Sequence, residues 1–362
     1  MFSLQPITRE HCYSQPQLDQ AIKSIRSKNN ILITAPEKTG KSTFLLHLSK
    51  KLDQKFTPVI FSSQNAITLG SYIRSNLLKL LSAHPDLFEN PKELFTISFL
   101  DLDKRLAETK LGDAAKQSLK LLLLFEKDDT IGIDQVIKTF FMFPQILSSE
   151  TKKPAVVMVD DAEQLSTIKH FKKSLSVFFD LLSSKDLNST IFVLASSQAL
   201  PLEGFEQLEL KPFTIDSARE FFTKNKLELD EPALNTIYNT TGGVPFYLNF
   251  FARYAKMTDA TDTESINNML EESLNNELDL YFSEKLKLLS PKELPILFCM
   301  AQHKVNTPSR ISRLLNYSQT NVRRFLSIME EKGFVSLKER GVFEIHDPVF
   351  RRWLEVQASR LR

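Results

Sequence analysis

The segment Ala35-Pro36-Glu37-Lys38-Thr39-Gly40-Lys41-Ser42 constrains this chain more than any other stretch. Residues 30–35, Asn-Ile-Leu-Ile-Thr-Ala, read as a short buried strand running directly into it, and Phe44, Leu45, Leu48 and Leu52 follow at helical spacing. A strand that turns into a helix through this sequence fits the phosphate-binding loop pattern, with Ala35 where the first glycine would stand. In such a turn successive backbone N–H groups point inward at the positive end of the helix and form a nest for anionic oxygens. Gly40 lets the backbone come close, Lys41 reaches β- and γ-phosphates, and the Ser42 hydroxyl is placed to ligate Mg²⁺. The expected binding set runs from Ala35 through Thr43. A chance match in a polar turn is the alternative, and the strand before and helix after speak against it.

The rest of the first half supports an α/β reading. Val59-Ile60-Phe61 looks like a second strand, and residues 66–150 carry helical patterns, including Ala114–Phe125 and Ile133–Leu147. Ala155–Val159 is a continuous apolar run ending in Asp160-Asp161, and Thr190–Ala195 is another ending in Ser196-Ser197. Buried apolar strands separated by helices predict a parallel sheet inside a three-layer αβα sandwich. A carboxylate at a strand's C-terminal end can hold Mg²⁺ opposite the loop serine, which suits Asp160. Asp161 is the candidate to polarise an attacking water, with Glu163 as an alternate. The same acids would also favour the start of a following helix.

At 362 residues the chain is long enough for two or three domains. Hydrophobic residues at 42% and charged residues at 25% exclude wholesale disorder, and the 28 phenylalanines are expected in cores. Cys12 and Cys299 match no zinc or redox spacing and are expected as reduced thiols. No charged-plus-apolar leader begins the sequence, and runs such as Leu121–Phe125 fall far short of the ~20 residues of a membrane span. A cytoplasmic protein without a membrane partner is expected. Charge is uneven: residues 286–362 hold 14 Lys+Arg against 7 Asp+Glu, and the preceding 285 residues hold 32 against 37. A basic tail on a slightly acidic body hints at an anionic partner.

That tail has a pattern of its own. Beyond Pro212 the sequence turns wholly helical to about residue 285. Thr307-Pro308-Ser309 then opens a short helix with Ile311, Leu314 and Leu315 expected inward. Asn316-Tyr317-Ser318 leads to a second helix bearing Val322, Phe325, Leu326 and Met329 at i, i+3, i+4 and i+7. Gly333 stops it, and Phe334–Leu337 and Val342–Ile345 form a hairpin around Arg340-Gly341. Helix, turn, helix and hairpin predict a winged helix. Gln319, Thr320, Arg323 and Arg324 on the opposite face, and Arg340 at the wing tip, are types that contact DNA. An interaction or autoinhibitory role for the module stands beside that reading.

These motifs together resemble AAA+/STAND-type P-loop ATPases of the archaeal kind, over nearly the whole chain. The resemblance rests on the loop at 35–42, the acidic strand end at 156–161, and Ser196-Ser197 where the family's polar sensor follows its fourth strand. Thr241-Gly242-Gly243-Val244-Pro245-Phe246 is similar to the lid's Gly-Gly-x-Pro motif. Glu344-Ile345-His346-Asp347-Pro348 through Trp353 is similar to the closing Asp-Pro-…-Trp signature. It implies an ATPase core (1–210), a helical lid (211–285) and a winged-helix domain (286–362), with ATP and Mg²⁺ as ligands. It further implies Ser196 or Ser197 as sensor and Pro245 against the nucleotide base. In related switch ATPases a winged-helix histidine touches the ADP phosphate, a role for which His346 is the candidate beside a plain packing one. Two departures point to a slow switch: Phe246 stands where many relatives have an arginine, and no arginine lies between Asp161 and Ser196. An arginine finger adds ~10³ or more to phosphoryl-transfer rates. The alternatives are an ATP-licensed DNA-binding regulator resembling a replication initiator and a non-hydrolysing scaffold for protein partners or for further copies of the chain.

Overall fold

Strands that are apolar at every position are stable only in the middle of a sheet covered on both faces. In the computed structural model, which describes residues 15–63, 66–125, 131–184 and 187–360, that is where they lie. The chain divides into two units, residues 1–211 and 212–362. Cys12 lies outside the described residues; Cys299 is a buried free thiol.

The first unit runs α1 (Gln15–Arg26), β1 (Ile31–Thr34), α2 (Lys41–Lys51), β2 (Thr57–Ser62), α3 (Leu69–Ser82), α4 (Phe99–Ala107), α5 (Asp113–Leu124), α6 (Ile133–Thr151), β3 (Ala155–Asp160), α7 (Leu175–Ser183), β4 (Thr190–Ser196) and β5 (Glu206–Glu209). The strands form one parallel sheet in the order β2-β3-β4-β1-β5. β3 and β4 are buried along their whole length. Because side chains alternate across a strand, each central strand feeds two cores. Ile31, Ile33, Val156, Met158, Ile191 and Val193 pack with Leu18, Ile25, Phe44 and Leu48 of α1 and α2. Leu32, Val157, Val159, Phe192 and Leu194 face the other way, into a core completed by α3, α5, α6 and α7. The result is the expected three-layer sandwich.

The phenylalanines fill the second core. Phe141 has its ring centroid 4.5 Å from Phe178, 5.0 Å from Phe140 and 6.4 Å from both Phe61 and Phe192. Strand β5 was not legible in the sequence. Only Leu208 of its four residues is buried, as suits an edge strand with one face on the core.

The second unit contains α8 (Ile215–Lys224), α9 (Glu231–Thr241), α10 (Pro245–Thr258), α11 (Thr263–Asn275), α12 (Glu277–Leu286), α13 (Leu294–His303), α14 (Pro308–Leu315), α15 (Gln319–Glu331), β6 (Val335–Glu339), β7 (Val342–Ile345) and α16 (Pro348–Arg360). β6 and β7 pair antiparallel about the Arg340–Gly341 turn. On α15, Val322, Phe325, Leu326 and Met329 are buried as expected. On α14 the expectation fails at one residue: Leu314 is 50% exposed, whereas Ile311 is buried. At 100° per residue Pro308, Ile311 and Leu315 share one stripe, and Leu314 falls about 90° off it.

Between α9 and α10 the chain turns through Gly242 and Gly243, both at positive φ. A Cβ on Gly243 would meet the Phe213 carbonyl oxygen at 2.1 Å, so only glycine fits there. Asp347 is buried, accepts from the Val349 and Phe350 N–H groups at 3.1 and 3.0 Å to cap α16, and takes the Tyr247 hydroxyl as a further donor.

Replacing Phe141 by alanine opens a cavity lined by rings that cannot collapse onto it. Urea unfolding of the variant should show a loss of about 3–5 kcal/mol. A loss below about 1 kcal/mol would mean that this cluster does not hold the first unit together.

Candidate functional site

The loop after β1 is fixed from behind. The Ala35 N–H donates to the Ser196 carbonyl at 3.1 Å, locking the loop to the last residue of the neighbouring strand β4. The chain then reverses through left-handed residues, Lys38 at φ 66° and Gly40 at φ 91°. Buried Thr39 closes the turn, its hydroxyl donating to the Pro36 carbonyl at 2.5 Å and its N–H to the same oxygen at 3.4 Å. Helix α2 starts at Lys41 with Gly40 as N-cap and no side-chain cap. Side chains cap α3, α4, α8, α9, α11 and α15, whereas α5, α6, α7, α10, α12, α13 and α14 share the uncapped start of α2. The first-turn N–H groups of α2, with the dipole behind them, are therefore left for an external anion. Lys41 is only 6% exposed, and its ammonium lies 3.3 Å from the Ala35 carbonyl, folded over the loop.

Facing the loop is the end of β3. With β4 lying between β1 and β3, the carboxyl ends of three strands converge here. Asp160 is 9% exposed, with the Ser42 hydroxyl near enough to lower its pKa. Its Oδ1 has no hydrogen-bond partner among the described residues. Burial raises its pKa, with the Ser42 hydroxyl and the Lys41 charge pulling the other way. Asp161 sits at φ 50° and is pushed up to about 6, first by burial and then by the charges of Asp160 and Glu163, against Lys41. Glu37, exposed on the loop, adds to the negative side.

This donor set fits Mg²⁺. A hard cation takes oxygen ligands, and here a hydroxyl and a buried carboxylate with one unpartnered oxygen meet beside the phosphate nest. Lys41 and Lys79 both act on Asp160, yet the carboxylates of Asp160, Asp161, Glu163 and Glu37 outnumber them, which also calls for a further cation.

The two serines after β4 behave differently. Ser196 is fully buried; its hydroxyl donates to the Gln198 carbonyl at 2.7 Å and accepts from the Gln198 N–H at 3.1 Å. That closes a local turn and leaves Ser196 poorly suited to the sensor role drawn from the sequence. Ser197 is half-buried and gives both its N–H (3.1 Å) and its hydroxyl to Glu163 Oε1. Neither the Ser197–Glu163 pairing nor the Thr39 turn closure was foreseen from the sequence; the visible signal for the pair was an acid three residues beyond Asp160.

Residues 35–43, Asp160, Asp161, Glu163, Ser196 and Ser197 thus share the C-terminal edge of one sheet. Pro245, His346, Gln319, Arg323, Arg324 and Arg340 belong to the second unit. Pro245 is the first residue of α10, and His346 is exposed beside buried Asp347. Gln319, Arg323 and Arg324 line the exposed face of α15, and Arg340 is exposed at the hairpin turn. No helix among the described residues is long and apolar enough to cross a membrane.

Comparison with known proteins agrees with the fold. The Walker-type ATPase PABY2304 of Pyrococcus abyssi superposes with a TM-score of 0.63 at 19% identity, covering 97% of this chain and 99% of that one. A STAND protein with a tetratricopeptide-repeat sensor from Pyrococcus horikoshii gives 0.44 at 12% identity, over 96% of this chain and 43% of its own. The RuvB branch-migration motor of Thermotoga maritima gives 0.43 at 12%, over 93% and 92%. The first of these supports the fold; the other two are too distant to carry weight. No curated protein matches the chain. A family model described as an ATPase domain predominantly from Archaea matches residues 20–251, most of the chain's length, and the protein belongs to that family.

Proposed function

We propose that the protein binds ATP with Mg²⁺ at the α2 N-terminus and hydrolyses it slowly, as a switch that couples nucleotide state to its C-terminal unit. The observation that carries this reading is the Ser42 hydroxyl brought up to Asp160 beside the start of α2, with one Asp160 oxygen left without a hydrogen-bond partner among the described residues. In this reading the N–H groups of Lys41, Ser42 and Thr43 in the first turn of α2 cradle the phosphates. Lys41 balances charge on the β–γ bridge as that bond breaks. The oxygen of a water bonds to the γ-phosphorus, and its proton passes to the Asp161 carboxylate, giving ADP and phosphate. Ser42 and Asp160 would hold Mg²⁺, which when bound neutralises phosphate charge. Ser197, rather than Ser196, takes the sensor role.

Slow turnover follows from composition: no arginine lies between Asp161 and Ser196, and Phe246 follows Pro245. For the second unit the proposal is a helical lid (211–285), with Pro245 against the base, and a winged helix (286–362). His346 is the candidate contact to the ADP phosphate, since it is exposed while its neighbour Asp347 is buried.

Phosphate release by the purified protein tests the reading. Lys41→Ala should lower the rate on the order of 10²–10³-fold, as for loss of one transition-state charge contact. Chelation of divalent cations should abolish turnover and added Mg²⁺ restore it, and Asp160→Asn should remove that rescue. A Lys41→Ala protein as active as the parent would end the proposal, and tight nucleotide retention with no phosphate release would favour a scaffold.

A second reading, DNA contact, is favoured by the exposed row Gln319, Arg323 and Arg324 on α15 with Arg340 at the hairpin turn. Duplex affinity should fall steeply with salt. Replacing Arg323 and Arg324 together by alanine should flatten the log–log slope by about 2, near 0.9 for each lost phosphate contact. An unchanged slope would exclude these arginines from the interface.

A further inference from the structure

The nearer of the two acids after Asp160 has a proposed chemical role; the farther one, Glu163, has a geometry that calls for another. Asp161 takes a left-handed conformation, φ 50° and ψ 51°, that ends β3 abruptly. A 3-10 turn over Ala162–Thr167 follows at once, tied by the Gln164 N–H on the Asp161 carbonyl at 2.9 Å. This turn carries Glu163 across to the end of the adjacent strand β4. There its Oε1 accepts two donors from one residue, the N–H and the hydroxyl of Ser197. Two donors on one oxygen fix both the backbone and the χ1 rotor of Ser197.

Ser197 stands at a particular place. It is the first residue beyond β4, the strand between the phosphate loop and Asp160, and the residue before it anchors Ala35. Glu163 is close enough for its charge to act on both Asp160 and Asp161. A serine hydroxyl has one proton and two lone pairs. With the proton given to Glu163, what remains is acceptor capacity, which suits a hydrogen bond from water and not one to a phosphate oxygen.

We propose that Glu163 is a positioning residue that clamps Ser197 so that its hydroxyl oxygen accepts a hydrogen bond from the attacking water. The proposal rests on the ATPase reading of the same site. The water then has two acceptors of different kinds: the Asp161 carboxylate, which takes its proton, and Ser197 Oγ, which orients its other hydrogen. Glu163 exchanges no proton with substrate. Its task is met by any acceptor of the same reach, charged or neutral.

That last property makes the test discriminating. Steady-state phosphate release and the KM for Mg-ATP would be measured for the parent, Glu163→Ala, Glu163→Gln, Ser197→Ala and the double Glu163→Ala/Ser197→Ala, each with its thermal unfolding midpoint. Glu163→Ala and Ser197→Ala should each lower kcat about 10-fold, the scale of one lost hydrogen bond, with KM within about two-fold. The double variant should be no slower than either single one, because both remove the same oriented hydroxyl. Glu163→Gln, whose amide oxygen can still take the Ser197 donors, should recover most of the loss. A Glu163→Gln protein as slow as Glu163→Ala would overturn the proposal and make the carboxylate itself a base, through its second oxygen, which is buried without a partner among the described residues. Multiplicative losses in the double variant, or a loss confined to KM, would overturn it too. A parent no faster than Lys41→Ala would instead remove the ATPase reading and the clamp with it.

Discussion

The contact on which the site depends is the approach of the Ser42 hydroxyl to Asp160, close enough to favour the carboxylate. These residues are 118 positions apart in the chain, and nothing local brings them together. They meet because the order β2-β3-β4-β1-β5 leaves one strand between β3, which ends at Asp160, and β1, which leads into the loop before Ser42, and because parallel pairing puts every C-terminal end on the same edge. The crossovers that such pairing requires occupy both faces with helices, and the crevice at that edge is where an open α/β sheet receives its ligand. The buried apolar strands thus serve the chemistry indirectly. Val157, Val159, Phe192 and Leu194 anchor β3 and β4 to the phenylalanine core, and the rigidity of that core sets the position of Asp160 relative to the loop.

The sequence disclosed those features that one residue type performs alone. Gly40 at φ 91°, Lys41 at the start of α2 and Asp160 at the end of β3 are each dictated by local chemistry, and each stands where its neighbours implied. The continuous apolar runs of β3 and β4 could be read because burial on both faces leaves no room for polar residues. β5 was invisible for the converse reason: a four-residue edge strand with one buried side chain has no pattern to read. Leu314 misled because on a helix of eight residues a stripe is defined by three positions, and one adjacent leucine cannot be told from them. The choice between Ser196 and Ser197 turned on rotamers and partners, which no adjacent pair of identical residues can reveal.

Electrostatics explains why the site needs ligands as much as it can bind them. Asp160, Asp161, Glu163 and Glu37 outnumber the lysines that act on them, Lys41 and Lys79, and the two aspartates are held above their ordinary pKa first by burial. Such a cluster is costly by itself, since a buried carboxylate loses hydration that a single ammonium only partly replaces. A divalent cation and the positive end of α2 relieve opposite halves of that cost: one compensates the carboxylates, and the other welcomes phosphate.

Motifs in the second unit show that residues in a family signature need not all do chemistry. Gly243 is required because the Phe213 carbonyl occupies the space of a side chain. Asp347 of the closing signature satisfies the first turn of α16 and takes the Tyr247 hydroxyl. Trp353 donates to Asp279 at 2.9 Å and stacks on Phe350 with ring centroids 5.8 Å apart. All three hold helices to one another. Through Tyr247 and Asp347 the turn that begins α10 is tied to the turn that begins α16, and a Cβ on Gly242 would lie 3.2 Å from Pro348 between them. These contacts join the start of α10, which carries Pro245, to the residues just after His346.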